Sequence, residues 1–486
     1  MLTAKNNVAT MHAELLVKVA ESFVKNNFAD IDNLPQILVP DNARPLRGSL
    51  AKDRQVIKEH IVAVLGFTPE KEDLSRPLAE FAKEALTRNA APTATVSVLP
   101  SACAACMKTQ FTVTDMCRGC IARPCEVNCP KKTITVEDKA FINQENCIKC
   151  GMCANVCPYG AINKAPVPCE DACPVGAITK DENGFEHIDY NKCISCGKCI
   201  KSCPFGAIVY NSQITDVLNQ IKRAQKPVVA MLAPAVIGQF GTDAAKIITA
   251  LKQLGFADVV EVAEGADVTT LNEAKEFIER MEEGHPFMTT SCCPAWYKAT
   301  QTHIPEIAPY VSSTKPPMYY IAELVKKQNP ECVSVFVGPC LAKRIEAEGD
   351  KDVDYVLVFD EIAAMLAAAG INVATCENSA FAKVSSAQGR IFPVSGGVAG
   401  AVAHIVGDSA VCKPEPINGL NKDAFKKLKM YAAKKSAGEF NLIEVMCCEG
   451  SCVGGPGCVV MPKKAEIMVN NYVKTSPDLK DLQKDK

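Results

Sequence analysis

The chain has 486 residues, enough for two or three domains, and 48% of them are hydrophobic, so it can bury a substantial core. Its 53 Lys and Arg against 55 Asp and Glu leave a net charge of −2, which argues against nucleic acid or an anionic membrane as the main partner. The unusual count is 26 Cys beside six His and one Trp, a load common in small secreted disulfide scaffolds and odd in a chain this long. Met1–Thr10 is polar, carries no basic stretch before an apolar one, and no apolar run reaches the ~18 residues of a membrane span. The expectation is a reducing, cytoplasmic setting without membrane insertion, where dense cysteines hold metal rather than form disulfides.

Residues 1–100 contain no Cys. Met11–Asn27, Asp53–Leu65 and Leu78–Leu86 carry apolar residues near helical spacing, and Pro35, Pro40 and Pro45 punctuate the loops between them. A helical N-terminal domain is expected here, with a packing or docking role. Residues 101–212 hold 16 of the 26 Cys and read as a ferredoxin-like iron–sulfur region of two tandem units. Over residues 213–474 strand-like runs alternate with helical stretches such as Leu271–Met281 and Glu361–Ala369. The runs are Pro227–Leu232, Asp258–Val262, Phe287–Thr289, Val333–Val337, Tyr355–Phe359, Ile391–Val394 and Leu442–Met446. That alternation predicts an α/β domain with mainly parallel sheets. A charged tail follows over 475–486.

Cys147-x2-Cys150-x2-Cys153-x3-Cys157-Pro158 is a bacterial ferredoxin run, and Cys193-x2-Cys196-x2-Cys199-x3-Cys203-Pro204 repeats it. In such pairs three thiolates hold one cubane and the fourth reaches across to the other. Cys117-x2-Cys120-x4-Cys125-x3-Cys129-Pro130 is a looser version, and Cys169-x3-Cys173-Pro174 is half of one. A single CxxC fits a zinc ribbon or a redox dithiol equally well. Repeated Cys-Pro endings followed by Gly-Ala-Ile at 160–162, 176–178 and 206–208, with no His nearby, favour [4Fe–4S] clusters. Pairing the runs in order puts Cys117, Cys120 and Cys125 with Cys157, Cys147, Cys150 and Cys153 with Cys129, and Cys193, Cys196 and Cys199 with Cys173. Cys169 and Cys203 are then two ligands short, and Cys103 and Cys106 are the remaining cysteines upstream. Three or four accessory clusters are therefore expected. In the alternative, Cys103 and Cys106 are buried thiols and Cys203 completes the Cys147/Cys150/Cys153 cluster.

Three strand-like runs of the α/β region end in Cys-bearing turns: Ser291-Cys292-Cys293-Pro294, Gly338-Pro339-Cys340 and Cys447-Cys448-Glu449-Gly450-Ser451-Cys452. Loops after strand C-termini are where α/β sheets build sites, so Cys293, Cys340, Cys448 and Cys452 can converge as another cubane-type site.

The segments TSCCPAW, GPCLAKRIE and EVMCCEGSCVGG resemble the three signature segments of the catalytic domain of [FeFe]-hydrogenases, over about Val228–Lys464. The resemblance implies an α/β catalytic domain preceded by a bacterial ferredoxin-like multi-[4Fe–4S] region. It also implies an H-cluster: a cubane bridged by one Cys to a di-iron centre bearing CO, CN⁻ and an azadithiolate. Carried over, Cys293, Cys340, Cys448 and Cys452 are the cubane ligands and Cys452 is the bridge. Cys292 resembles the relay thiol that passes protons outward, and Glu273, Glu276, Arg280 and Ser312 match the family's proton path. The bland reading of Glu273, Glu276 and Arg280 is a solvated helix face. Lys343 resembles the donor to a cyanide ligand. Ala233, Pro234 and Ala235 match a pocket wall, with Met318, Gly338 and Met446 at further pocket positions. Departures are Ala295 for the usual Gly, Gly338 where a pocket Met is common, Met318 where a Gln is common, the extra Cys447, and a third motif ending GGPGC. They put rate, bias and oxygen tolerance in doubt.

No nucleotide-binding fingerprint appears, so this chain is not expected to reduce NAD itself. The implied reaction is reversible oxidation of H2, with ferredoxin or an iron–sulfur partner subunit as electron partner and maturation proteins supplying the di-iron centre. The resemblance puts the cluster on Cys203 nearest the active site. A hydrogenase subunit of a larger complex, such as a hydrogen-dependent CO2 reductase, is a close variant. Competing readings are an H2 or redox sensor and an iron–sulfur assembly factor without the di-iron centre. Cys332, Cys376, Cys412, Cys447 and Cys458 are assigned only packing.

Overall fold

A computed structural model describes residues 6–88, 90–241 and 244–484. Part of the N-terminal segment read above (1–5) and the last two residues of the charged tail lie outside them. Among the described residues no helix is long and apolar enough to cross a membrane.

The N-terminal helices form where the sequence spacing puts them, over Asn7–Val24, Leu50–Val64 and Leu78–Thr87. The first two begin at side-chain caps: the Asn6 Oδ1 accepts from the Ala9 amide at 2.9 Å, and the Ser49 hydroxyl accepts from that of Lys52 at 3.2 Å. They do not close a core of their own. Leu15, Leu16, Val19, Phe23, Ile61 and Phe81 belong to one buried cluster with Ala230, Leu232, Val335, Val337, Leu357 and Phe359 of the α/β region. The Asn7–Val24 helix packs along the Phe359–Ala368 helix.

The iron–sulfur region is nested where tandem units were expected. Gln110–Val113 pairs antiparallel with Ile162–Ala165, and Ile134–Val136 with Ala140–Ile142, which makes one unit. The other unit surrounds it in sequence: Val96–Val98 pairs with Ile208–Tyr210, and Ile178–Lys180 with Glu186–Ile188. Its first strand starts before residue 101 because Val96, Ser97 and Val98 complete a sheet edge formed more than a hundred residues later.

Two all-parallel sheets form the α/β region. One runs in the order Asp258–Glu261, Val228–Leu232, Val333–Gly338, Tyr355–Val358, and the other in the order Met288–Thr289, Leu442–Met446, Pro414–Asn418. Ile391–Val394, expected as a strand, is instead a turn after the short Ala387–Arg390 helix. It is too near Gly396 and Gly397 to extend, and the chain turns into the Gly397–Val406 helix. The Pro414–Asn418 edge strand was not foreseen, since its two prolines read as loop.

A buried ion pair ties the regions together. Arg344, after the Val333–Gly338 strand, donates to both carboxylate oxygens of Glu361 at 3.0 and 2.8 Å. Glu361 also accepts from the amides of Gln213 (3.1 Å) and Val358 (2.7 Å) and from the Ser212 hydroxyl. Arg344→Ala leaves that carboxylate buried with no counter-charge and is expected to cost about 3–5 kcal/mol, read as a lowered thermal midpoint.

Candidate functional site

The three Cys-bearing turns follow Met288–Thr289, Val333–Gly338 and Leu442–Met446, whose parallel strands end on the same side of their sheets. Cys293, Cys340, Cys448 and Cys452 lie within electrostatic reach of one another there. All are free. Burial pushes the Cys340 thiol up to about 12, with the neighbouring Cys293 adding to it, and raises Cys448 and Cys452 as well. Among the described residues no three His, Cys, Asp or Glu side chains close on one point as the ligands of a single ion do. Four buried thiols this close to one another fit a cluster whose thiolates sit on separate irons.

Beside this set is a cavity with about 80 Å³ of space for water-sized molecules, lined by Cys292, Cys340, Cys452 and Lys343. Ala233, Pro234, Ala235, Met318 and Met446 line it as well. Gly338 does not: the Phe336 ring, from the same strand face, stands where a side chain at 338 would go. Phe392 and Pro393, in the turn that replaces the expected strand, and Pro339 complete walls that motif reading missed. Lys343 is 8% exposed and pairs with the Glu346 carboxylate. Burial alone would lower its pKa, but the Glu346 carboxylate raises it, so the ammonium stays charged. An ammonium has three donors, and an anionic group in the cavity fits the remaining ones.

Cys292 is 8% exposed; burial, then the Glu273 and Glu444 carboxyls, push its thiol well up. Glu273 is not the solvated residue of the bland reading. It is 0% exposed, and neither carboxyl oxygen has a hydrogen-bond partner. Burial, then the charge of Glu276, raises it to about 8. The Ser312 hydroxyl and the Ser291 amide are its polar neighbours. Ser312 donates to Glu276 at 2.8 Å, and Arg280 bridges to Glu276 at 2.7 Å. Burial alone would raise Glu276, but the Ser313 amide, the Thr314 and Ser312 hydroxyls and Arg280 together hold it low. Glu444, which sequence reasoning passed over, accepts from the Gly396 and Ala399 amides at 2.8 and 2.9 Å, at the start of the Gly397–Val406 helix.

The sixteen cysteines of the iron–sulfur region fall into four groups. Cys117, Cys120, Cys125 and Cys157 line one small cavity, and Cys129, Cys147, Cys150 and Cys153 another. The Cys173, Cys193, Cys196 and Cys199 thiols act on one another, and Cys103, Cys106, Cys169 and Cys203 form the fourth neighbourhood. Cys129, not Cys203, lines the cavity of Cys147, Cys150 and Cys153.

Proximity to the Cys-bearing turns differs from the expectation. Cys203 lies with Cys103 and Cys106, while Cys196 hydrogen-bonds the buried Cys447 thiol and lies within reach of Cys448. The reason is how the loop docks. Gly197 has φ +72°, and a Cβ there would stand 2.8 Å from the Pro456 ring. Lys198 donates to the Leu420 carbonyl at 2.7 Å, and Lys201 to those of Gly454 and Gly455 at 2.8 and 3.0 Å.

Residues 226–456 match the family defined by the C-terminal domain of the iron-only hydrogenase large subunit, and residues 140–163 and 186–209 match the 4Fe-4S binding domain family. Iron hydrogenase 1 of Clostridium pasteurianum is 31% identical over 67% of this chain, which spans 66% of that relative's length. The periplasmic [Fe] hydrogenase large subunit of Nitratidesulfovibrio vulgaris is 31% identical over 67% of this chain and 88% of its own length. A cytosolic Fe-S cluster assembly factor of Xenopus tropicalis is 26% identical over 44% of this chain and 57% of its own. The chain belongs to the iron-only hydrogenase family.

If Cys103 is a ligand of the fourth group, Cys103→Ala is expected to lose about four irons per chain and keep the other clusters. Unchanged iron content would remove Cys103 from the ligand set.

Proposed function

We propose that the chain is an [FeFe]-hydrogenase that interconverts H2 with two protons and two electrons. The observation that carries the reading is the buried, unpartnered Glu273 beside the Cys292 thiol, at the edge of a cavity walled by Cys340, Cys452 and Lys343. Cys293, Cys340, Cys448 and Cys452 would hold the cubane of an H-cluster, with Cys452 as the bridge. Lys343 would donate to an anionic ligand, and Ala233, Pro234, Ala235, Met318 and Met446 would wall it. When bound, the H-cluster supplies the reversible cleavage of H2.

The chain's own residues move the proton. Cys292 keeps its proton at neutral pH because burial and two neighbouring carboxyls oppose the thiolate. Glu273, raised to about 8, takes and returns a proton near neutrality, as an efficient relay requires. Ser312 stands beside Glu273 and donates to Glu276, which is held low and so is ready to accept. Arg280 keeps Glu276 charged by its 2.7 Å bridge.

Electrons would leave by another route. Cys447 sets Cys196 beside Cys448, so the Cys173/Cys193/Cys196/Cys199 group adjoins the catalytic set. Ligand positions then extend through the Cys103 group to the inserted unit, where Cys150 is exposed. The partner would be ferredoxin or an iron–sulfur subunit, in the cytoplasm, with maturation proteins installing the di-iron centre. The similarity to assembly factors favours one alternative, an iron–sulfur assembly role without that centre. Cys292 and Lys343 at the cavity speak against it.

Matured protein is expected to take up and evolve H2 with ferredoxin; absence of both activities would defeat the reading. Cys292→Ala is expected to lower turnover by about 10²-fold or more at unchanged iron content. Glu273→Gln should do the same and also change stability. Because the folded pKa is raised, the carboxyl's contribution is full below about pH 4 and is lost as pH rises through about 8. Wild-type unfolding free energy should therefore fall more steeply than that of Glu273→Gln between about pH 4.5 and about pH 8, by up to roughly 5 kcal/mol.

A further inference from the structure

Phe336 and Gly338 lie two residues apart on one face of the Val333–Gly338 strand, while Val335 and Val337 pack into the core on the other. A Cβ on Gly338 would stand 2.4 and 2.7 Å from two carbons of the Phe336 ring and 3.3 Å from the Ala233 Cβ. Carbon atoms do not approach so closely, so the ring and any side chain at 338 exclude each other. The ring is 3% exposed and packs in the cluster of Met231, Ala233, Val262 and Met318. Its edge also forms wall of the cavity beside Cys340 and Lys343. The space left there, about 80 Å³, is a few water volumes at roughly 30 Å³ each. At that size one aromatic ring decides how much room a small molecule finds.

We propose that Phe336, given its place by the missing side chain at Gly338, sets the free volume of the catalytic cavity and so governs how readily small diatomic gases enter it. The proposal rests on the cavity being the H2 site. Truncating the ring opens the cavity; a long side chain at 338 refills it only when the ring is gone. Phe336→Ala and Gly338→Met must then compensate each other.

The test is a double-mutant cycle on the matured full-length chain, reading thermal midpoint and the onset rate of inhibition by carbon monoxide. Phe336→Ala should speed the onset about tenfold, and Phe336→Leu, which keeps the core more nearly filled, should give a smaller shift of the same sign. Gly338→Met alone should lower the thermal midpoint, and adding Phe336→Ala should recover it and return the onset rate toward wild type. Additive midpoints would overturn the pairing. Onset rates unchanged in both Phe336 variants would overturn the control of gas entry. A wild-type chain that neither turns over H2 nor responds to carbon monoxide would instead defeat the hydrogenase reading, while the midpoints would still decide the pairing.

Discussion

Buried thiols cannot ionise together. Cys293, Cys340, Cys448 and Cys452 sit in one low-dielectric neighbourhood, each opposing ionisation of the others. Cationic iron on the proposed ligands would remove that penalty, and loading the site would then release protons and stabilise the fold around it. The surroundings follow from this constraint. Three parallel strands bring the turns together, Lys343 supplies fixed positive charge, and apolar residues close the cavity. The same low dielectric that raises the ligand thiols also raises Glu273, which makes a carboxyl into a group that exchanges protons near neutral pH.

The proposed proton and electron routes leave the site on different elements. The proposed proton residues lie on the Val262–Glu282 helix and the Ser312 loop; the candidate electron ligands lie in the nested iron–sulfur units. Docking between the two halves is made by backbone as much as by side chains. Gly197 meets Pro456 at close range, Lys198 donates to the Leu420 carbonyl after the Pro414–Asn418 strand, and Lys201 donates to the Gly454 and Gly455 carbonyls just past the third Cys-bearing turn. Cys447 then appears as a buried thiol between two ligand groups, beyond the packing role its position in the sequence suggested.

Much of this was legible in local sequence. Six of the seven expected strands end within a residue of their observed bounds, because apolar runs flanked by turn residues are a local signal, and the cysteine spacings carry their own register. Non-local pairing was not legible. Val96–Val98 joining Ile208–Tyr210 nests one unit in the other, and no local pattern shows it. The error over which cysteine group lies nearest the catalytic loops has the same origin, since distance along the chain from Cys203 says nothing of how Gly197 docks. Gly338 misled differently. A family position was carried over as a cavity wall, whereas Phe336, two residues earlier on the same strand face, takes that role; period-two alternation would have pointed to it.

Infrared spectroscopy of the matured full-length chain tests the central claim most directly. Bands from CO and CN⁻ ligands are the expected result, since the cavity of Cys292, Lys343 and Cys452 is read as holding a di-iron centre. A chain with its iron–sulfur clusters assembled but no such bands would contradict that claim and leave the assembly-factor reading standing.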